Sequence, residues 1–119
     1  FPVINLNAYA LETGVAEKLQ TMVDRYLDNS RMKDYYDVWI LTSKAELDMT
    51  ILSEAVDATF RNRRTNREDI IGLFAEEFIH NGDMSMRWNA FLKKMKLSEP
   101  DFPSLVEEIH RRISSLIHV

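Results

Sequence analysis

Residues 15–41, VAEKLQTMVDRYLDNSRMKDYYDVWIL, decide the fold of this chain. Apolar residues such as Val15 and Leu19 recur at spacings of three and four, which is typical of one face of an α-helix. The polar run at 28–30 predicts the end of this first helix, and the apolar stripe resumes from 32 to 41. Because the connection is so short, the sequence predicts a hairpin of two antiparallel helices.

Four further helical segments follow the hairpin. Asp48 or Thr50 is a candidate cap for the third helix, and a fourth is expected from Asn66 to about Phe78. A fifth is expected from Asp83, and a sixth carries Pro103 in its first turn. With only three Gly and three Pro in 119 residues, we expect an all-α bundle of five to six helices, forming one domain over 1–119.

The first residues follow a different pattern. Val3 to Leu6 show a weak alternation that predicts a short extended segment. A lone strand leaves its backbone hydrogen bonds unpaired, so this segment is expected either to pack as an arm or to belong to a sheet formed by an upstream part of a longer chain.

Composition restricts the function classes. The chain has no cysteine, which excludes disulfides and thiolate metal sites, and its net charge of −4 argues against a uniformly basic nucleic-acid-binding surface. No apolar run approaches the length needed to cross a bilayer, and no signal peptide is recognisable. We therefore expect a cytoplasmic protein without a membrane partner.

The hairpin also carries the candidate chemistry. Lys18 lies on the first helix, and Arg31, Lys33, Asp34 and Asp37 lie at the start of the second. The two aspartates are three residues apart and share a helix face, which an antiparallel turn brings towards Lys18. These residues are either ordinary surface ion pairs, or a site in which the lysine binds a phosphate and the carboxylates orient a hydroxyl, a nucleophile or a metal-bound water. Spacing alone does not choose between the two.

Three stretches carry a family resemblance. They are AYALETGVAEKLQTMVDRYLDNSRMKDYYDVWILTS at 8–43, EAVDATFRNR at 54–63 and RWNAFLKKMKL at 87–97. In this order they resemble the C-terminal motifs of the AbiEii/AbiGii abortive-infection toxins, which are nucleotidyltransferases. The resemblance covers nearly the whole chain and is weakest between 64 and 84.

The resemblance implies a function for the hairpin. Lys18 would contact a nucleoside triphosphate, with Arg31 and Lys33 beside it, and Asp34 and Asp37 would complete the active site. The reaction would transfer a nucleotide to an RNA acceptor, which is tRNA in characterised relatives. The resemblance also implies a toxin role countered by a separately encoded antitoxin.

One part of the family pattern does not occur. In the family, a Gly-Ser pair and a following Asp-x-Asp motif on an N-terminal sheet hold divalent metal. This sequence has no Gly-Ser pair that is followed by an Asp-x-Asp motif. We therefore expect a C-terminal helical portion that is inactive without an N-terminal half, with Mg²⁺ and a nucleoside triphosphate bound only by the complete enzyme. The alternative is a stand-alone helical module for protein interaction or homodimerisation.

Other residues have weaker claims to function. His80, His110 and His118 lack metal-ligand spacing, and Trp39 and Trp88 lie on apolar stripes that are typical of a core. The arginines at 61, 63, 64 and 67 are either an RNA-binding patch or basic residues that suit a helix C-terminus.

Overall fold

The fold was analysed in a computed structural model, which describes residues 9–117. Within that range lie six α-helices, here α1 to α6, and two 3-10 helices. Their bounds are α1 Ala10–Arg25, a 3-10 helix Tyr26–Asp28, α2 Met32–Leu41, α3 Met49–Asn62, a 3-10 helix Arg67–Phe74, α4 Glu76–Ile79, α5 Gly82–Lys94 and α6 Phe102–Ile117. The expectation of an all-α fold is confirmed for this range, whereas the extended segment expected at Val3–Leu6 lies outside it.

Two helix starts follow local capping rules. The Asp48 side chain accepts a hydrogen bond from the Ile51 amide and begins α3, and Asn81 accepts one from Met84 and begins α5. Each cap satisfies an amide that the helix itself leaves unpaired, and such a cap contributes about 1 kcal/mol. The predicted Asp48 cap is thus confirmed. α5 begins one residue before Asp83.

The first and fourth predicted helices differ from expectation. By its residue type, Thr13 is a plausible cap for the first helix. α1 instead begins at Ala10, so Thr13 lies inside the helix and does not cap it. The single helix expected from Asn66 to Phe78 is instead a 3-10 helix followed by one short turn of α-helix. Ile70, Leu73 and Phe78 are nonetheless buried. Tertiary packing therefore buries this apolar stripe although part of its backbone has the tighter geometry of a 3-10 helix.

The core joins all the major helices. α1 packs against α2 and α3, and α6 contacts α2, α3 and α5. Trp88 is fully buried, and its indole N–H donates a hydrogen bond to the Pro100 carbonyl at 2.8 Å. Trp39 is half-buried and packs at the edge of the core. The hairpin of α1 and α2 is therefore held from one side by a packed core, which fixes the positions of its polar residues on the other side.

Candidate functional site

The turn between α1 and α2 is fixed by buried polar contacts. α1 ends at Tyr26, whose φ of 45° reverses the chain direction. Asn29 is fully buried, and its side-chain oxygen accepts a hydrogen bond from the Arg31 amide at 2.8 Å. Arg87 of α5 donates to the Leu27 carbonyl at 2.7 Å and to the Asn29 carbonyl at 3.4 Å. These contacts determine where α2 begins and therefore where its first-turn side chains lie.

The five predicted site residues meet across this turn. The Lys18 Nζ lies 3.2 Å from the Asp37 Oδ2 and 3.7 Å from the Asp34 Oδ1. The Arg31 Nε lies 3.5 Å from the Asp34 Oδ2, and the Lys33 Nζ donates a hydrogen bond to the Asp37 Oδ2 at 2.8 Å. The structure thus brings one ammonium from α1 between two carboxylates from α2, and two further cations lie at the outer side of those carboxylates.

Burial differs strongly among these side chains. Asp34 has only 5% of its side chain exposed and Asp37 has 20%, whereas Arg31 and Lys33 have 61% and 72% exposed. Lys18 lies between these extremes at 30%. The carboxylates therefore form the inner part of the site, and the two more exposed cations lie where an anion from solvent can reach them.

Asp34 is incompletely paired. Its Oδ2 is buried without a hydrogen-bond partner among the described residues, although the Arg31 guanidinium lies near it. The Tyr35 hydroxyl and the Asn29 amide nitrogen are also buried without a good hydrogen bond in that range. An unsatisfied buried polar group costs about 1 to 3 kcal/mol. Three of the four such side-chain atoms in the described range lie at this end of α2, and the fourth is the Glu12 Oε1.

The protonation states follow from the same contacts. Partial burial raises the pKa of Asp37, but its contacts with Lys33 and Lys18 lower it more, so the pKa of this carboxyl lies below its ordinary value. The Asp37 contact in turn raises the pKa of Lys33. Burial, together with the neighbouring charge of Asp34, raises the pKa of Tyr35 far above its ordinary value. At neutral pH the site therefore holds an ionised Asp37, a charged Lys33 and a neutral tyrosine.

The chain matches one family model along most of its length. Residues 1–111 match the model described as the nucleotidyl transferase AbiEii toxin of a type IV toxin–antitoxin system. The chain belongs to the AbiEii family. No curated protein and no solved structure matches it significantly. Membership in a toxin–antitoxin family implies an antitoxin partner, and no helix in the range 9–117 is long and apolar enough to span a membrane.

The carboxylates of this AbiEii chain do not form a metal site by themselves. Asp34 and Asp37 are the acidic residues of the cluster, and Lys18, Arg31 and Lys33 already lie within ion-pair distance of them. Between residues 9 and 117, no three carboxylate or imidazole side chains converge as a cation would require. Since Mg²⁺ prefers several oxygen ligands that are not neutralised by cations, the donor set present here does not fit that ion.

The arginine-rich segment is not one continuous patch. Arg67 is held inside the fold, where it bonds to Ser53, Asp57 and the Leu116 carbonyl. Arg63 donates to the Gln20 side chain at 2.9 Å, whereas Arg61 and Arg64 are exposed. Arg61 is the basic residue in the last turn of α3, as the helix C-terminus interpretation expects. Arg67 begins the following 3-10 helix, and its role is structural.

The histidines are not brought together. His80 is exposed beside Glu76 at 3.8 Å, and His110 stacks on Phe74 with ring centroids 4.3 Å apart. His118 lies outside the described residues. Sequence reasoning missed Asn29 and Arg87, the two residues that fix the turn. A polar residue between two helices was the signal for Asn29, but nothing in the local sequence connects Arg87 to a loop about sixty positions away.

Proposed function

We propose that this chain supplies part of the active site of a nucleotidyltransferase toxin that transfers a nucleoside monophosphate from a nucleoside triphosphate to an RNA acceptor. The observation that carries the proposal is the Lys18 ammonium held between Asp34 and Asp37, 3.7 and 3.2 Å away. AbiEii family membership supports the reaction class, and tRNA is the acceptor that the resemblance suggests.

Each side chain would have a distinct role in this reaction. Lys18 binds the triphosphate as a compact point charge, and the exposed Arg31 and Lys33 bind its outer oxygens. Asp37 is the more accessible carboxylate and is positioned to accept a hydrogen bond from a reacting hydroxyl. Asp34 has almost no exposed surface, and it would hold the Lys18 amine in place. A preorganised charge of this kind stabilises the transition state without reorganisation.

The metal chemistry would come from elsewhere in the complete enzyme. The family's Gly-Ser and Asp-x-Asp motifs are not found in these 119 residues. Bound Mg²⁺ would supply charge stabilisation on the transferred phosphate. We propose that this chain provides phosphate-binding and hydroxyl-orienting groups that complete that centre and that it has no transferase activity alone.

The proposal is tested in the complete enzyme by incorporation of a labelled nucleotide into tRNA. Lys18→Gln, Asp34→Asn and Asp37→Asn are each expected to lower kcat by a factor on the order of 10² to 10³, because each removes a charge from the reacting centre. Asp28→Asn and Lys44→Gln alter exposed charges outside the cluster and serve as matched controls. Activity that survives the Lys18 and Asp34 substitutions unchanged would refute the proposed roles.

A second candidate function is protein interaction through α5. Met86 on α5 is 65% exposed, and Met95, the residue directly after α5, is 46% exposed, with Ala90 of α5 between them in the chain. Exposed apolar surface of this kind is typical of an interaction site, for an antitoxin or for a second copy of the chain. Light scattering distinguishes this candidate: a concentration-dependent dimer that is abolished by Met86→Lys supports it, whereas a monomer at all concentrations excludes homodimerisation.

A further inference from the structure

A basic groove borders the site on the side of α5. It encloses about 490 Å³, and its walls include Arg31 and Lys33 from the start of α2 and Arg87 and Lys94 from α5. Phe91 and Met95 contribute apolar surface between them. Lys18, Asp34 and Asp37 are not among the residues that line it. The groove and the cluster therefore share Arg31 and Lys33.

The groove is positively charged, although the chain as a whole has a negative net charge. The chain has a net charge of −4, yet four cations and no carboxylate line the groove. Arg31 and Lys33 are each near one aspartate, but neither Arg87 nor Lys94 forms an ion pair within the described range. A basic concavity in which two cations have no acidic partner concentrates anions locally, even on an acidic protein.

The backbone adds to this positive potential. Ser30 to Lys33 form one wall, so the N-terminal end of α2 lies at the groove. No side chain caps this end of the helix. The Arg31 amide donates to the Asn29 side chain and the Asp34 amide to the Arg31 carbonyl, whereas the Met32 and Lys33 amides have no partner among the described residues. Free amides and the helix dipole both favour a phosphate group at such a position.

The spacing of the cations along the groove favours binding of more than one phosphate. Arg87 and Lys94 are seven positions apart on α5, which places them roughly 10 Å apart along the helix axis at a rise of about 1.5 Å per residue. Cations separated in this way match a chain of phosphates better than a single ion. The nonpolar surface of Phe91 between them suits the sugar and base of a nucleotide unit.

We propose that this groove binds the phosphodiester backbone of the single-stranded end of the nucleic-acid acceptor. This inference rests on the proposed function, in which Lys18 and the carboxylates receive the triphosphate. The other phosphate-bearing reactant must then approach from a neighbouring surface, and the groove is continuous with the cluster through Arg31 and Lys33. Nucleotide transfer requires the triphosphate and the acceptor to lie side by side. A triphosphate at the cluster and an acceptor in the groove would meet at Arg31 and Lys33.

The test is direct binding of a fluorescein-labelled single-stranded RNA of about 12 nucleotides to the chain, followed by anisotropy between about 50 and 200 mM salt. Binding is expected to weaken steeply with salt. Lys94→Gln is expected to weaken it about threefold to tenfold and to lower the slope of log affinity against log salt by about 0.7, because one phosphate contact is lost.

Lys93→Gln is the matched control, since Lys93 is the adjacent exposed lysine of the same helix and does not line the groove. Equal weakening by the Lys93 and Lys94 substitutions would overturn the proposal, and so would undetectable RNA binding. A competition experiment uses ATP. If ATP displaces the RNA and its binding depends on Lys94, the groove binds the nucleotide and the acceptor-site proposal is overturned. Circular dichroism verifies that both variants are folded.

The two proposals fail in different ways. If Lys94→Gln loses RNA binding while Lys18→Gln keeps full transferase activity, only the proposed function is refuted. Transferase activity that depends on Lys18, without groove binding that depends on Lys94, would refute only the acceptor site.

Discussion

Two charged clusters lie at opposite ends of α2, and they differ in how completely their polar atoms are paired. At the end of α2, Glu108 accepts hydrogen bonds from the Trp39 indole at 2.9 Å and from Arg112 at 2.6 Å, and Arg112 also donates to the Trp39 carbonyl. At the start of α2, the Lys18 cluster brings more charges together but leaves Asp34 Oδ2 without a hydrogen bond. Charge density therefore does not distinguish the two clusters, whereas the buried Asp34 Oδ2, which has no hydrogen-bond partner among the described residues, does.

The Arg67 network is a second example of complete pairing. Its guanidinium connects the Ser53 side chain and carbonyl in α3 to the Leu116 carbonyl near the end of α6. All three of its nitrogens donate within the protein. Arginine in this setting links helices, so its substitution is expected to destabilise the fold much more than substitution of an exposed arginine.

The largest expected effect on stability is that of Arg67→Ala. Removing the guanidinium leaves two carbonyls and a hydroxyl without their donor, and we expect the free energy of unfolding to fall by about 3 kcal/mol. Urea denaturation measures this change. Arg61→Ala, an exposed arginine of the same segment, is expected to change it by less than about 0.5 kcal/mol. Equal effects of the two substitutions would contradict the structural role of Arg67.

Glu108→Ala is expected to have the next largest effect. The substitution leaves the Trp39 indole N–H and the Arg112 guanidinium without their carboxylate acceptor. Because these side chains are partly exposed, water can replace some of the lost hydrogen bonds. We expect a decrease of about 1 to 2 kcal/mol in the free energy of unfolding. The neighbouring exposed Glu107→Ala serves as control, and a loss as large in that variant would show that helix propensity and not the network was measured.

Asp34→Asn is expected to act in the opposite direction. Because the buried carboxylate is incompletely paired, replacing its charge by a neutral amide should leave the free energy of unfolding unchanged or raise it by up to about 1 kcal/mol. Thermal denaturation of this variant beside Asp28→Asn tests the expectation. A loss above 2 kcal/mol would identify Asp34 as a structural ion pair of the same kind as the Glu108 network.

The smallest expected effect is the pH dependence contributed by Asp37. Its folded-state pKa lies below the ordinary 3.8 because Lys33 and Lys18 outweigh its partial burial. A depressed carboxyl pKa stabilises the fold above the unfolded-state value, and that contribution disappears as pH falls through the folded-state pKa. We therefore expect the stability difference between the native chain and Asp37→Asn to shrink below about pH 4.

An NMR titration of the Asp37 carboxyl sharpens this prediction. Lys33→Gln is expected to raise its pKa, because a hydrogen bond and a charge that lower it are removed. Lys44→Gln changes an exposed lysine outside the cluster and is expected to leave the titration unaltered. An identical titration curve in Lys33→Gln would contradict the contact.

Sequence periodicity by itself determined that this protein is helical, where the α1–α2 hairpin turns, and which five polar residues flank that turn. These features depend on contacts between near neighbours, for which spacing and capping chemistry are sufficient. Only the tertiary structure decided that the apolar stripe after Asn66 winds as a 3-10 helix, that Arg67 is structural, and that Arg87 fixes the turn and forms the groove with Lys94. Those outcomes depend on residues far apart in the chain, whose meeting is set by the packing of helices against one another and leaves no mark on local sequence.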